Sequence, residues 1–189
     1  MNNIIKSIIR NLVEMIKTIA TVLVLAFVIK TFLVQTFIID GSSMEPSFHQ
    51  DEYLLVDKLS YRFNQPNRGD IVILIPPDDR NKDYIKRIIG LPGDLIKIDG
   101  HSISINNKKI DEKYIRESLA NSQVNYYLEK KLTDDEYFVM GDNRDNSKDS
   151  RSFGAIHKSD IVGRTFLVIL PTKSFRLVKH YKYSVFADN

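Results

Sequence analysis

Residues 16–47 read IKTIATVLVLAFVIKTFLVQTFIIDGSSMEPS, and the fold turns on a change of pattern inside them. Thr18 to Ile29 carry no charge, and apolar character resumes after Lys30 as far as Val34. The uncharged run alone is too short for a bilayer, which needs about 20 helical residues. Ile16 to Val34 can span if Lys17 and Lys30 reach the two interfaces, each keeping its carbon stem in hydrocarbon and its ammonium among headgroups. A buried helix in a soluble core and a cleaved signal peptide are the alternatives. Lys6, Arg10 and Lys17 precede the run with only Glu14 against them, which by the positive-inside rule places the N-terminus in the cytoplasm and the rest outside. No small residues stand at A-x-A spacing where Val34-Gln-Thr-Phe37 follows, so the segment reads as a retained anchor.

After residue 36 the period becomes that of strands. Short β-rich runs at 36–40, 53–58, 70–75, 84–89, 94–98, 102–105, 137–140 and 161–170 alternate with turn signals. Asp99-Gly100 and Asn106-Asn107 are hairpin pairs, and Leu91-Pro92-Gly93-Asp94 is a tight turn. The polar stretch from Asp111 to Asp135 reads as a surface excursion. The expected organisation is a cytoplasmic tail and transmembrane anchor over 1–35, a mostly β extracytoplasmic domain over 36–171, and a C-terminal tail over 172–189. That tail carries Lys173, Phe175, Arg176, Lys179, Tyr181, Lys182 and Tyr183. It is expected to be solvated and frayed, with contact to lipid headgroups as the alternative.

Composition narrows the chemistry. The chain has 189 residues, 27 Lys+Arg against 24 Asp+Glu, and a net charge of +3, which gives no basic footprint for nucleic acid. With no cysteine, a thiol nucleophile, disulfides and Cys-ligated metals are excluded. His49, His101, His157 and His180 are scattered, so a histidine-bound metal is not expected.

Three stretches look unlike scaffold. In Gly41-Ser-Ser-Met44 a serine after a glycine turn can offer both its hydroxyl and its own N–H to one point, although an ordinary polar turn reads the same way. In Tyr84-Ile-Lys-Arg-Ile88 a strand puts Lys86 on the face of Ile88. Desolvation there lowers an amine's pKa towards that of a general base; a lysine blocking a sheet edge is the alternative. Met140 to Gly154 hold many Asp, Asn, Ser and Arg groups and almost no aliphatic ones, the mark of a rigid supporting loop or of a solvated one. A serine nucleophile needs a base. No histidine is suitably set, and lysine is a known substitute.

Taken in order, Gly41-Ser-Ser-Met-Glu-Pro-Ser47, Arg68-Gly-Asp-Ile-Val72, Tyr84-Ile-Lys-Arg-Ile-Ile-Gly-Leu-Pro-Gly-Asp94 and Gly141-Asp-Asn-Arg-Asp-Asn-Ser-Lys-Asp-Ser-Arg151 resemble the successive boxes of the type I (leader) signal peptidases, in the bacterial single-span Ser/Lys form. The resemblance implies a β-sheet or barrel catalytic domain behind one transmembrane helix. It also implies a membrane-bound serine endopeptidase that removes signal peptides from exported preproteins, without metal or cofactor. By it, Ser43 is the nucleophile, Lys86 the base, Ser147 the residue that orients the lysine, and Asp149 and Arg151 the brace of that loop. The implied substrates carry small residues at −1 and −3. Phe37, Ile39, Met44, Tyr84 and Ile85 are placed by position in the pocket walls. Membrane lipid is the other expected partner, nucleic acid is not one, and the oligomeric state is left open. Gly41 stands where some members carry a serine as a second oxyanion donor, and Ser47 and Phe48 replace the usual threonine and leucine. A self-cleaving repressor-type Ser/Lys domain and a non-catalytic membrane-tethered β module are the rival readings.

Overall fold

A computed structural model describes residues 2–28, 33–115 and 126–186. Helix α1 (Asn2–Val28) leads the chain. Among the described residues no helix is long and apolar enough to cross a membrane. The expected span, 16–34, includes residues 29–32, which lie outside those described. The apolar side chains of α1 from Ile5 to Phe27 are largely exposed.

The rest is antiparallel β, as the alternation requires. Strands β1 (Val34–Ile38), β2 (Tyr53–Asp57), β3 (Ile71–Leu74), β4 (Tyr84–Gly90), β9 (Glu136–Met140), β10 (Ile156–His157) and β11 (Ile161–Leu170) form the main sheet. They are ordered β1-β2-β11-β3-β4-β9-β10, with β12 (Arg176–Leu177) added to β11. The run Ile71-Val-Ile-Leu74 is apolar at every position because both of its faces are covered. Ile71 and Ile73 join Ile39, Met44, Phe48, Leu54 and Val168 on one side. Val72 and Leu74 join Ile88, Tyr137, Val139 and Ile156 on the other.

A smaller sheet, β7-β6-β5-β8, combines β5 (Leu95–Asp99), β6 (Ser102–Ile105), β7 (Lys108–Lys109) and β8 (Tyr127–Lys131). It buries one face only, so Ile96, Ile98, Ile103 and Ile105 alternate inward. Asn106 and Asn107 both take positive φ, 52° and 64°, as the hairpin between β6 and β7 demands. The polar stretch 111–135 is not wholly a surface excursion. Its last part forms β8 and pairs with β5 from Leu95↔Lys131 to Asp99↔Tyr127. Residues 116–125 lie outside those described.

The C-terminal segment is not frayed. β12 pairs with β11, Tyr181 N donates to Gly69 O at 3.3 Å, and Tyr183 is buried in the core beneath the small sheet. The rings of Tyr114, Tyr181 and Tyr183 meet edge to face at 4.9–6.3 Å. The lysines that make this segment look solvated point outward, while its tyrosines bury their rings. Gly69, at φ 87°, allows the strap to approach, because a Cβ there would strike the Tyr181 carbonyl. Gly93 has a similar φ of 78° but open space around it. Gly69→Ala is therefore expected to cost about 2 kcal/mol more than Gly93→Ala in chemical denaturation, since only the former adds overpacking to backbone strain. Equal losses would remove the strap from the list of structural elements.

Candidate active site

Ser43 sits in a loop between β1 and β2 that is closed at its base. Ile39 N donates to Glu52 O and Asp51 N to Ile39 O, both at 2.9 Å. Met44 and Phe48 turn inward and are almost fully buried, so the loop is bolted to the core on either side of Pro46. The serines are also held from across the molecule. Asn143 N donates to Ser43 O at 3.0 Å, Asn143 Nδ2 to Ser42 O at 3.1 Å, and Asn146 Nδ2 to Ser42 Oγ at 2.7 Å. With its backbone fixed, Ser43 has only its χ1 torsion left to aim the hydroxyl.

Lys86 comes from β4, paired with Val72 of β3, and is 3% exposed. Its Nζ lies 2.8 Å from Ser43 Oγ and 2.8 Å from the Ile85 carbonyl oxygen. The Tyr84 ring lies beside it, 5.2 Å from Nζ to the centroid. Burial strips water from the amine and lowers its pKa to about 8, although the Asp149 and Asp142 carboxylates pull the other way. An amine near 8 is substantially neutral in weakly alkaline solution and can take a proton.

The loop 141–151 supports both residues. Asp149 is fully buried: burial raises its pKa, but the Arg151 guanidinium and the Gly141 N–H outweigh that and hold it below the usual carboxylate range. Arg151 reaches Asp149 through Nε at 2.9 Å and Nη2 at 2.8 Å, and donates to Arg144 O at 2.6 Å. These bonds tie Asp149 to Arg151, and Arg151 to the backbone at Arg144. Ser147 stands on the same loop. Its Oγ is buried without a hydrogen-bond partner, and the bond to Lys86 is not formed in this structure. It lies against Gly141, where a Cβ would collide with Ser147 and with the Ser43 carbonyl oxygen. Glycine at 141 is what lets the supporting loop touch the Ser43 backbone.

A second link went unnoticed in the sequence. Arg87, next to the lysine, makes a bidentate pair with Asp142 at 2.8 and 2.6 Å, and Ser47 Oγ donates to the same carboxylate. Arg87 also lies over the Tyr114 ring, 3.9 Å from the centroid. The Ser43 loop, the lysine strand and the supporting loop therefore meet at one buried carboxylate. The signal was present in the alternation of β4: if Lys86 faces one side, Arg87 is driven into the opposite core and must find an anion there.

A cleft of about 280 Å³ opens onto Ser43 and Lys86. Phe37, Ile39, Tyr84 and Ile85 line it, as do Ile38, Asp40, Leu54, Ile73, Asp83 and Lys148, which the sequence did not single out. Met44 does not line it; that side chain is buried in the core below. Its apolar character reflects loop anchoring and not a pocket wall. The cleft lies between two strand segments with free edges. β1 ends the main sheet, and β4 pairs with β9 only from Arg87 onward, leaving residues 84–86 open on that side. Among the described residues no group of three or more His, Cys, Asp or Glu side chains is placed to hold a metal ion.

The lysine's lowered pKa has a consequence for stability. An unfolded chain keeps this proton up to about 10.5, the folded one only to about 8. Between those values the unfolded state binds more protons, so this residue's destabilising effect fades as pH rises. Lys86→Met should therefore be more stable than the parent by the largest margin below pH 8, with the margin shrinking towards pH 10.5. A margin in unfolding free energy that stays constant with pH would contradict the desolvated amine.

The model of the family "Signal peptidase, peptidase S26" matches residues 12–170. Signal peptidase I P of Bacillus subtilis subsp. natto is 39% identical over 176 residues, covering 89% of this chain and 95% of the relative. Probable signal peptidase I-2 of Synechocystis sp. is 39% identical over 163 residues, covering 84% and 73%. Signal peptidase I of Bacillus licheniformis is 38% identical over 176 residues, covering 88% and 92%. Together with the serine and lysine meeting in an apolar cleft, these matches show that the chain belongs to the signal peptidase family, peptidase S26, a family of serine endopeptidases that cleave signal peptides.

Proposed function

We propose that this enzyme acts on exported preproteins with Ser43 as nucleophile and Lys86 as general base. The 2.8 Å separation of Lys86 Nζ from Ser43 Oγ, with the amine out of water, carries this reading. When the amine is neutral, one N–H still donates to the Ile85 carbonyl oxygen, and the lone pair accepts the Ser43 hydroxyl proton. The oxygen then attacks the scissile carbonyl, and the Ser43 N–H stabilises the oxyanion. One such donor is worth about 3 kcal/mol in the transition state. The ammonium of Lys86 next protonates the leaving amine. Finally the neutral amine draws a proton from water, which hydrolyses the acyl-enzyme. Asp149 and Arg151 hold the loop that fixes Ser43, and Ser147 is the nearby hydroxyl available to steady the lysine when substrate arrives.

An extended substrate adds a strand between the free edges of β1 and of residues 84–86, so that backbone bonds supply affinity and alternate side chains enter the cleft. Its small volume and the apolar walls from Phe37, Ile39 and Ile85 favour short side chains at −1 and −3. The stretch 16–34 is the membrane anchor, with the N-terminus cytoplasmic and the peptidase domain outside. The support is a helix that leaves Ile16, Ile19, Val22, Leu23, Val24, Leu25 and Phe27 more than half exposed, a surface that lipid would cover, and the basic residues before it.

Ser43→Ala and Lys86→Ala are each expected to lower cleavage of an alanine-x-alanine preprotein by at least about 10³-fold while the domain stays folded. Purified Ser43→Ala retaining a tenth of the parent's rate would reject the assignment.

A further inference from the structure

The nucleophile loop is fastened from two sides, and the supporting loop 141–151 accounts for only one of them. On the other stands β12, in the strap that returns across β11. From it Arg176 reaches Glu52 through Nη1 and Nη2, both at 2.7 Å, and Nη2 also donates to the backbone oxygen of Ser47 at 2.8 Å. A further bond to Ser174 O at 3.0 Å fixes the guanidinium to its own strap, and its cation lies over Phe48 at 5.4 Å.

These contacts are not scattered surface pairings. Glu52 is 2% exposed and closes the base of the loop, its backbone oxygen accepting from Ile39 N. Ser47 is at the loop's other bend, just after Pro46, and its hydroxyl is committed to Asp142. A single planar guanidinium therefore spans both limbs of the loop whose apex presents Ser43. It does so with two side-by-side bonds to Glu52 and a third to Ser47, a geometry that lysine cannot reproduce. Arg176 touches neither the cleft nor the dyad.

We infer that Arg176 is a positioning residue: the C-terminal strap clamps the two limbs of the nucleophile loop through its guanidinium, and so sets the reach of Ser43 towards Lys86. This rests on the Ser43/Lys86 reading and adds to it an element that the sequence pattern assigned to a solvated tail. Without the clamp, buried Glu52 loses its cation and keeps only a 3.3 Å bond from His49 N, and the loop relaxes to hydrate it. Ser43 then withdraws from the lysine amine, and water enters beside that amine. The cleft walls on β1 and β4 are untouched, so substrate affinity should change little.

The test uses the full chain in detergent and a fluorogenic signal-peptide substrate with alanine at −1 and −3. Arg176→Met keeps the apolar stem over Phe48 and removes the guanidinium. It should lower kcat about tenfold with KM within about twofold of the parent's, and move the acid limb of the kcat profile upward from about pH 8. Arg176→Lys should fall between the two. Glu52→Gln should lower kcat alone, but add little on top of Arg176→Met. A folded Arg176→Met with kcat within twofold and an unmoved limb overturns the inference. Should that variant fail to fold, Arg176→Lys decides by the same limb: an upward shift supports the clamp, an unchanged limb rejects it. Ser43→Ala assayed in parallel separates the two questions, because activity in it rejects the dyad itself and not the clamp.

Discussion

One amine taken out of water governs this molecule. In the proposed mechanism Lys86 can serve as a base because it is buried, and it can stay buried because β4 is a strand inside a two-faced sheet. A lysine on the open surface would hold its proton to about 10.4 and leave the serine inert at physiological pH. The same burial destabilises the folded state, so the surrounding structure must compensate. It does so with apolar clusters on both faces of β3 and with ion pairs that are saturated by hydrogen bonds.

The second requirement is registration. Ser43 and Lys86 are remote in sequence, one on a loop and the other on a strand, and neither fixes the other. Three connections bring them together. Asn143 and Asn146 grip the serine backbone and its neighbour, Asp142 ties Arg87 to Ser47, and Asp149 with Arg151 stiffens the loop from which those groups come. The supporting loop is anchored in turn by Arg144, which pairs with Glu112 beside the small sheet. The small sheet thus contributes to the site through a buried ion pair, though it carries no reacting group.

Much of this was legible because the physics is local. Asn106-Asn107 announces its hairpin since few residues tolerate positive φ, and the apolar run at Ile71 to Leu74 announces a strand. Lys86 was legible from alternation, since a cation on an apolar strand face demands a reason. What remained hidden depends on partners distant in sequence. Arg87 gives no hint of Asp142, and Met44 looks like a pocket wall until the loop is seen bolted through it. Tyr181 and Tyr183 sit among lysines that disguise their burial, and β8 reads Tyr-Leu-Glu-Lys-Lys, a half-exposed strand with charged outward positions. By resemblance Ser147 was expected to orient the lysine, but its hydroxyl is buried with no hydrogen-bond partner.

The lysine amine can be observed directly. With ¹³C placed at the ε-carbon of lysine, its NMR shift followed against pH and the signal assigned by its loss in Lys86→Met, position 86 should titrate near 8, well below the ordinary lysine value of about 10.5. A resonance for Lys86 that titrates at the ordinary lysine value, near 10.5, would contradict a desolvated base and the proton transfer built on it.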